Sequence, residues 1–303
     1  MAGMSGPGAN EEDSLATIRA CLELGVNHLD TAYCYGMTGE SERFVGQAIA
    51  GHRHEFVIAT KGGIRWAAGD GRQRHQVFDA SPTTLRHQCE TSLQRLKIDR
   101  IDLLYLHAPD RQTPIAESAS ALKRLMEEGK TQAVGVSNVT LAQLTQFAAE
   151  CPIAAFQPPY NMLQRQIEAD TLPWCRDHGV AVMVYWPLLK GLLAGKLPRK
   201  LSLAPTDSRH KYPMYQGDEW RKNVALVDRL RDIAERAGHT VAELVINWTI
   251  HQAGITSALC GAKRPDQIRE TAAGAGWQLT LEQQAEIQQA LDERGPALTK
   301  SPV

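Results

Sequence analysis

One complete helix–strand unit lies in residues 81–106, which read SPTTLRHQCETSLQRLKIDRIDLLYL. Ser81 and Pro82 predict a helix start, because serine is a preferred N-cap and proline fits the first helical turn. Four apolar residues then recur at helical spacing, namely Leu85, Cys89, Leu93 and Leu96. The run Ile101–Leu106 is almost wholly apolar, as expected of a strand that is buried on both faces.

The same pattern continues in both directions along the chain. Helix-type runs separate six further strand-type runs, at 27–31, 56–60, 133–136, 153–157, 180–185 and 255–260. Alternating helices and buried strands predict a parallel sheet, either an eight-stranded barrel or a doubly wound sheet. The early GxGxxG expected of a dinucleotide-binding doubly wound sheet is absent from the sequence. We therefore expect an α/β fold, a (β/α)8 TIM barrel, as a single domain over residues 1–303.

The strand count departs from that of a closed barrel, which needs eight strands where the sequence predicts seven. The chain opens almost directly on a helix, for which Asp13 and Ser14 are the expected start. We therefore expect the first strand to be missing or truncated, which would leave unpaired strand edges and reduce stability. The alternative is that residues 1–9 themselves supply a short strand.

The composition and net charge of the chain limit the kinds of partner and the cellular location that we expect for it. The net charge of the 303-residue chain is −1, with no cluster of basic residues, so we expect neither nucleic acid nor an anionic membrane as partner. The longest apolar stretch, Val180–Leu189, is about half of the roughly 20 residues that a membrane helix needs. Six dispersed cysteines without a CxxC pair, and an opening without a signal-peptide pattern, predict a cytoplasmic location with reduced thiols.

Polar side chains recur where the predicted strands end. They are Asp30, Lys61, His107, Ser137 with Asn138, Gln157, Tyr185 and, beyond the last strand, Lys263. A single such residue more often caps a helix or bonds a loop, but repetition at one topological position predicts an active site at the carboxyl ends of the strands. Lys61 directly after a strand is also compatible with a Schiff-base aldolase.

The stretch DTAYCYG at 30–36 resembles the DTAxxYG signature of the aldo-keto reductases. With Lys61 and His107, residues Asp30 and Tyr35 match the catalytic tetrad of that family in order and with similar spacing. The resemblance extends over about residues 10–290. It implies an NADP(H)-dependent oxidoreductase that reduces a small aldehyde or ketone to an alcohol, with Tyr35 as proton donor.

Further segments resemble the cofactor-binding motifs of the same family. GVSN at 135–138 resembles the nicotinamide-carboxamide motif, YWPL at 185–188 the stacking segment, and 261–270 the segment that holds the adenosine phosphate. The resemblance implies cofactor contacts from Ser137, Asn138, Gln157, Tyr185, Pro187, Leu188, Gly191, Lys196, Gly261, Lys263, Arg264, Gln267 and Glu270. We expect Trp66 and Trp186 to line the substrate pocket.

The implied roles agree with elementary chemistry. Tyrosine is a weak acid, but an ammonium group such as that of Lys61 stabilises its phenolate form. Asp30 would hold Lys61 by an ion pair, and His107 would hydrogen-bond the substrate carbonyl. This chemistry needs no metal, and no cluster of residues at metal-ligand spacing is evident in the sequence.

Three departures and one alternative function accompany the resemblance. The opening hairpin and first strand of the family normally precede the segment that Met4–Gly6 resembles, and the sequence lacks them, in line with the expected truncation. Trp186 stands where the family usually has a small residue, and Thr271 where it usually has asparagine. A cofactor-binding regulatory subunit, such as those of potassium channels, shares the fold and a similar tetrad. The polar segment 190–217 is too long for an ordinary connection, and we expect it to be a functional lid or disordered.

Overall fold

The structure is a computed structural model, and it describes residues 10–68, 74–205 and 207–300. Within these ranges the strands are β1 (His28–Asp30), β2 (Val57–Gly62), β3 (Ile64–Ala68), β4 (Arg74–Phe78), β5 (Ile101–Leu106), β6 (Thr131–Ser137), β7 (Ala155–Gln157), β8 (Ala181–Tyr185) and β9 (Ser257–Leu259).

The same ranges contain ten α-helices and several 3-10 turns. The helices are α1 (Glu11–Glu23), α2 (Glu40–Ala48), α3 (Pro82–Leu96), α4 (Ile115–Glu127), α5 (Leu141–Glu150), α6 (Thr171–Asp177), α7 (Gly217–Arg236), α8 (Val241–Ile250), α9 (Pro265–Ala273) and α10 (Leu281–Arg294). The 3-10 turns are Arg53–Glu55, Gln166–Glu168, Leu189–Ala194, Ser208–Lys211 and Pro213–Tyr215.

Seven of the described strands form one parallel sheet in the order β1-β2-β5-β6-β7-β8-β9. Its register is regular: Ala59 is paired with Leu103, and Leu103 with Ala133. A parallel sheet with helical crossovers confirms the predicted α/β fold of the (β/α)8 type. Over the described part of the chain, β1 and β9 end the sheet. The alternative that residues 1–9 supply a strand lies outside that part.

The contacts divide the chain into two compact units. Unit 1 is Met1–Pro158, Trp174–Val182 and Gly261–Ile268. Unit 2 is Pro159–Pro173, Met183–Cys260 and Arg269–Val303. The single domain over residues 1–303 stays a prediction.

Unit 1 has an apolar core beneath α1 and α2. Ile18, Leu29, Val45 and Ile58 bring these two helices and strands β1 and β2 together, and each is at most 2% exposed. Burial of one such side chain stabilises the fold by about 1.5–3 kcal/mol. The core therefore anchors β1 and β2, the two strands that bear Asp30 and Lys61.

Unit 2 is built around α7, α8 and α10. Leu230 on α7 and Ile287 on α10 are fully buried. Between these helices the buried guanidinium of Arg294 pairs with Glu219, and it also donates to Asn223 Oδ1 at 2.9 Å. Every charged group in this cluster thus has a hydrogen-bonded partner, as burial requires.

Side-chain caps open several helices, and the sequence predicts the cap correctly at α3 but not at α1. Ser81 caps α3 with Pro82 in its first turn, and Thr280 opens α10 with a full capping box. The predicted start of α1 is wrong, because Asn10 rather than Asp13 is the N-cap and accepts the Asp13 backbone N–H at 2.7 Å. Asn, like Asp, is a favoured N-cap, and three acidic residues then fill the first turn, where the helix dipole favours them.

The antiparallel hairpin of β3 and β4 was not predicted from the sequence. Ile64 pairs with Phe78, and Trp66 pairs with Gln76. The hairpin follows β2 directly in the chain, so it emerges at the carboxyl end of a sheet strand. It gives Trp66 a fixed backbone at that position.

The polar segment 190–217 is packed rather than loose over the residues that the structure describes. Tyr215 is 5% exposed, and its hydroxyl donates to the carbonyls of Leu189 and Lys190 at 2.9 and 3.1 Å. The Asn223 side chain donates to the Met214 carbonyl at 2.9 Å. These bonds join the start of the segment to its end, and its end to α7, so the alternative of a disordered segment is wrong over the described residues.

Candidate active site

The four residues of the predicted tetrad lie in unit 1, around the carboxyl ends of neighbouring strands. Asp30 is the last residue of β1, Lys61 lies near the end of β2, and His107 directly follows β5. Lys61 is in register with Tyr105 on β5. Because neighbouring parallel strands end at the same edge, the register brings these three side chains together. Tyr35 lies in the loop between β1 and α2.

Lys61 and Asp30 form a buried ion pair. The Lys61 side chain is 1% exposed; its ammonium pairs with the Asp30 carboxylate and donates to the Thr31 carbonyl at 2.8 Å. The second Asp30 oxygen accepts from Gln157 Nε2 at 2.8 Å. Burial raises the pKa of Asp30, but the charge and hydrogen bond of Lys61 lower it together with other nearby charges, and the net shift is downward. Asp30 is therefore an anion at neutral pH.

The Tyr35 ring lies against both Lys61 and His107. Lys61 Nζ is 5.2 Å from the centre of the Tyr35 ring. The Tyr35 and His107 rings meet edge to face, with their centres 5.7 Å apart. A phenol, an ammonium and an imidazole therefore share one small site, and a carboxylate holds the ammonium in it.

His107 occupies a site that disfavours its charged form. Burial, and secondarily the Lys61 charge, lower the pKa of His107 from 6.5 to about 3. Its backbone N–H donates to the Gly62 carbonyl at 2.8 Å, and its carbonyl accepts from Asn138 Nδ2 at 2.8 Å. The imidazole is thus neutral at physiological pH, with its backbone fixed on both sides.

A buried polar network holds the loop that carries Tyr35. Glu42 on α2 is fully buried and accepts from Thr60 Oγ1 at 2.7 Å and from Arg95 Nη1 at 3.0 Å. Arg95 also donates to the Tyr33 carbonyl at 3.1 Å, and its guanidinium lies 4.4 Å from the centre of the Tyr33 ring. The sequence analysis did not find Glu42 and Arg95, because charged residues on helices are usually exposed.

The predicted cofactor residues of unit 1 form two local groups. Ser137 Oγ donates to the Gln157 carbonyl at 2.7 Å and accepts from Asn138 Nδ2 at 3.0 Å. At the start of α9, the Lys263 backbone N–H donates to Gln267 Oε1 at 2.7 Å. Two more predicted residues, Gly261 and Arg264, stand in the same segment.

The Arg264 guanidinium is 55% exposed and lies 3.2 Å from an Asp266 carboxylate oxygen. An exposed guanidinium next to a helix N-terminus has the chemistry to bind a phosphate group. The donor set of this segment therefore fits a phosphate-bearing nucleotide.

The predicted residues of unit 2 follow β8 in the chain. The Trp186 ring meets the Tyr185 and Tyr212 rings edge to face at 5.9 and 5.6 Å. Trp186 has a φ of +61°, a left-handed conformation that is uncommon for a bulky residue. Pro187 and Leu188 follow it directly, Gly191 lies five residues further along, and Lys196 pairs with Glu270 at 2.5 Å.

Of the two tryptophans predicted to line the substrate pocket, Trp66 lies in unit 1, beside the loop that carries Tyr35. Its Nε1–H donates to the Cys34 carbonyl at 2.8 Å, and Ile64 and Ala108 pack in the same small cluster. Trp66 is therefore fixed next to the residue that precedes Tyr35, and Trp186 belongs to unit 2.

Across residues 10–68, 74–205 and 207–300, no helix has the length and apolar character that a membrane crossing requires. The same ranges hold no group of three or more His, Cys, Asp or Glu side chains arranged to bind a metal ion.

Comparison with known proteins gives matches over nearly the whole chain. The chain is 36% identical over 289 residues to "Aldo-keto reductase YhdN" of Bacillus subtilis, with 94% of this chain and 85% of that protein covered. It is 34% identical over 269 residues to the "NADH-specific methylglyoxal reductase" of Escherichia coli, with 85% and 81% covered.

Two solved structures are similar as well. The structure of glycerol dehydrogenase AKR11B4 from Gluconobacter oxydans has a TM-score of 0.90 and 35% identity, covering 100% of this chain and 91% of that one. An aldo-keto reductase from Klebsiella pneumoniae in complex with NADPH has a TM-score of 0.72 and 27% identity, covering 97% and 88%. The model of the aldo/keto reductase family matches residues 2–292. The chain therefore belongs to the aldo/keto reductase family of oxidoreductases.

Proposed function

We propose that the chain reduces the carbonyl group of a small aldehyde or ketone to an alcohol, with NADPH as hydride donor. The cluster of Tyr35, Lys61, Asp30 and His107 carries this proposal, because it pairs a proton donor with groups that stabilise its anion. The names of two relatives, methylglyoxal reductase and glycerol dehydrogenase, support a small carbonyl–alcohol pair as the substrate class.

The proposed chemistry divides between cofactor and protein. When bound, the nicotinamide supplies the hydride that the carbonyl carbon receives. Tyr35 gives its phenolic proton to the carbonyl oxygen, and the Lys61 ammonium stabilises the phenolate that remains. Asp30 keeps that ammonium in place through their buried ion pair. His107 is neutral, so its ring carries one N–H, and we infer that this N–H donates to the carbonyl oxygen and orients the substrate.

Tyr35→Phe tests the proton donor. Loss of a general acid costs about 10² to 10⁴ in rate, so kcat with an aldehyde substrate should fall by that factor. Cofactor affinity, followed by fluorescence titration, should stay within a few-fold of wild type. Tyr33→Phe is the matched control, because it removes a phenol hydroxyl from the same loop and keeps the ring that stacks on Arg95. Activity of Tyr35→Phe within a few-fold of the control would contradict the proposed role.

The preference for NADPH over NADH is the second part of the proposal. Lys263 and Arg264 stand in the segment that resembles the adenosine-phosphate site, and a 2′-phosphate needs cationic partners. The relative solved in complex with NADPH supports this choice, whereas the name of the Escherichia coli relative specifies NADH.

Dissociation constants for both cofactors test the preference. Wild type should bind NADPH more tightly than NADH. Lys263→Ala/Arg264→Ala should lose at least about tenfold in NADPH affinity, as expected when charge-assisted hydrogen bonds are removed, while NADH affinity changes little. Arg176→Ala, which removes an exposed cation elsewhere in unit 1, serves as control. Equal constants for the two cofactors, unchanged in the double variant, would refute the role of these cations.

A further inference from the structure

The Cys34 thiol lies against the ring of His107. Its sulfur is 3.6 Å from His107 Nδ1, and the residue is 3% exposed. The Cys34 carbonyl accepts the indole N–H of Trp66 at 2.8 Å. Ala32, Ile64 and other apolar residues surround the thiol, so it is held between the hairpin and the imidazole.

The position of the proton in this contact decides which ring nitrogen of His107 can donate a hydrogen bond to another group. A neutral imidazole has one nitrogen that donates and one that accepts, and the partner of one nitrogen determines the role of the other. Either the thiol donates to Nδ1, or Nδ1–H donates to the sulfur. Sulfur is a weak acceptor, whereas an unprotonated imidazole nitrogen is a good one, so the first arrangement is favoured.

The charge states of both groups agree with this arrangement. Burial raises the pKa of the Cys34 thiol to about 12, so the sulfur keeps its proton at physiological pH. Burial lowers the pKa of His107 to about 3, so the ring carries a single N–H. Each group therefore holds a single proton, as the first arrangement requires.

We propose that Cys34 is a positioning residue, whose S–H donates to His107 Nδ1 and so places the ring proton on Nε2. This inference rests on the proposed function in one respect: the Nε2–H is then the donor that a substrate carbonyl requires. In the opposite arrangement an Nε2 lone pair would face the carbonyl oxygen and repel it. Cys34 thus determines which nitrogen of the imidazole carries the proton, without itself touching the substrate.

Nitrogen-15 NMR of the full-length labelled protein tests the tautomer directly. Long-range proton–nitrogen correlation separates a protonated ring nitrogen from an unprotonated one, and His107→Gln identifies the signals of His107 among the ten histidines. Wild type should show the proton on Nε2. Cys34→Ser, which retains a donor, should keep this pattern, and Cys34→Val should move the proton partly or wholly to Nδ1.

Kinetics supply the second readout. Cys34→Val should lower kcat about three- to tenfold, the effect of one neutral hydrogen bond, with the KM for cofactor unchanged. Cys34→Ser should recover most of the rate. Cys21→Ala is the control, because its buried thiol donates to the Thr17 carbonyl at 3.4 Å and should affect neither His107 nor kcat.

Two results would overturn the proposal. One is a proton on Nδ1 in the wild-type protein. The other is a Cys34→Val variant that keeps both the wild-type tautomer and the wild-type kcat. Should the NMR pattern shift as expected in a protein that reduces no carbonyl, the proposed function would fail while the role of Cys34 in setting the tautomer would stand.

Discussion

Asp30→Asn isolates the energetic role of the buried ion pair. In the native site one Asp30 oxygen faces the Lys61 ammonium and the other accepts from Gln157 at 2.8 Å, so both oxygens face donors. Asparagine has nearly the same shape but presents an NH₂ group in place of one oxygen. With Gln157 in its native orientation, a donor then faces a donor in either orientation of the new amide, and the buried Lys61 charge loses its counter-ion.

Removal of one partner from a buried ion pair costs about 3–5 kcal/mol. The lower end applies here, because the Asp30 side chain is 12% exposed and the Thr31 carbonyl still accepts from Lys61 at 2.8 Å. We therefore expect Asp30→Asn to reduce the free energy of unfolding by about 3 kcal/mol. Most of this loss reflects the unpaired ammonium rather than the missing attraction.

Urea unfolding followed by circular dichroism measures the effect. Asp30→Asn should lower the midpoint with an unchanged m-value, and Asp30→Asn/Lys61→Met should recover most of the lost stability, because it leaves no buried charge unpaired. A single variant within about 1 kcal/mol of wild type would refute the reasoning. So would a double variant that is less stable than the single one.

Two further predictions concern stability. A Cβ added at Gly135 would lie 2.4 Å from the buried Tyr105 ring and 2.9 Å from a backbone oxygen, so Gly135→Ala should lower the free energy of unfolding by about 1–3 kcal/mol. Gly276→Ala, where the nearest atom is 3.5 Å away, is the control. His107 has a folded-state pKa of about 3 against 6.5 unfolded, so its contribution is complete above pH 6.5 and is lost progressively as pH falls toward 3. In His107→Gln the urea midpoint of unfolding should depend less on pH between 6.5 and 3 than in wild type. The same dependence on pH in both proteins would contradict the lowered pKa of His107.

The sheet strands and the grouping of the tetrad could be predicted from the sequence. Buried parallel strands such as Ile101–Leu106 are continuous apolar runs in the sequence. The polar residues that follow these strands come together because parallel strands end at one edge of the sheet. Asp30, Lys61 and His107 follow this rule, since each lies at or near the end of a strand in the sheet.

Other features could not be predicted, for reasons specific to each. The hairpin strands Ile64–Ala68 and Arg74–Phe78 mix charged, aromatic and small residues without a clear alternation, so their pairing leaves little pattern. In the sequence, Glu42 and Arg95 look like exposed helix residues. Their burial depends on the ion pair between them, which only the structure shows. The contact of Cys34 with His107 joins loops 73 positions apart in the chain, a separation that periodicity cannot report.

The parallel register also has a consequence for how the chain folds. Each rung of the sheet joins residues that are far apart in sequence, as His28 with Val57 and Met183 with Ser257. Closing such loops reduces the entropy of the chain before the strand contacts that offset this loss have formed. We therefore expect local helices to form early and strand pairing to limit the refolding rate. The longest closure is that of β8 with β9, across the segment that includes α7 and α8. Until it forms, the apolar edge of β8 is open to pairing between chains, so refolding yield should fall as protein concentration rises.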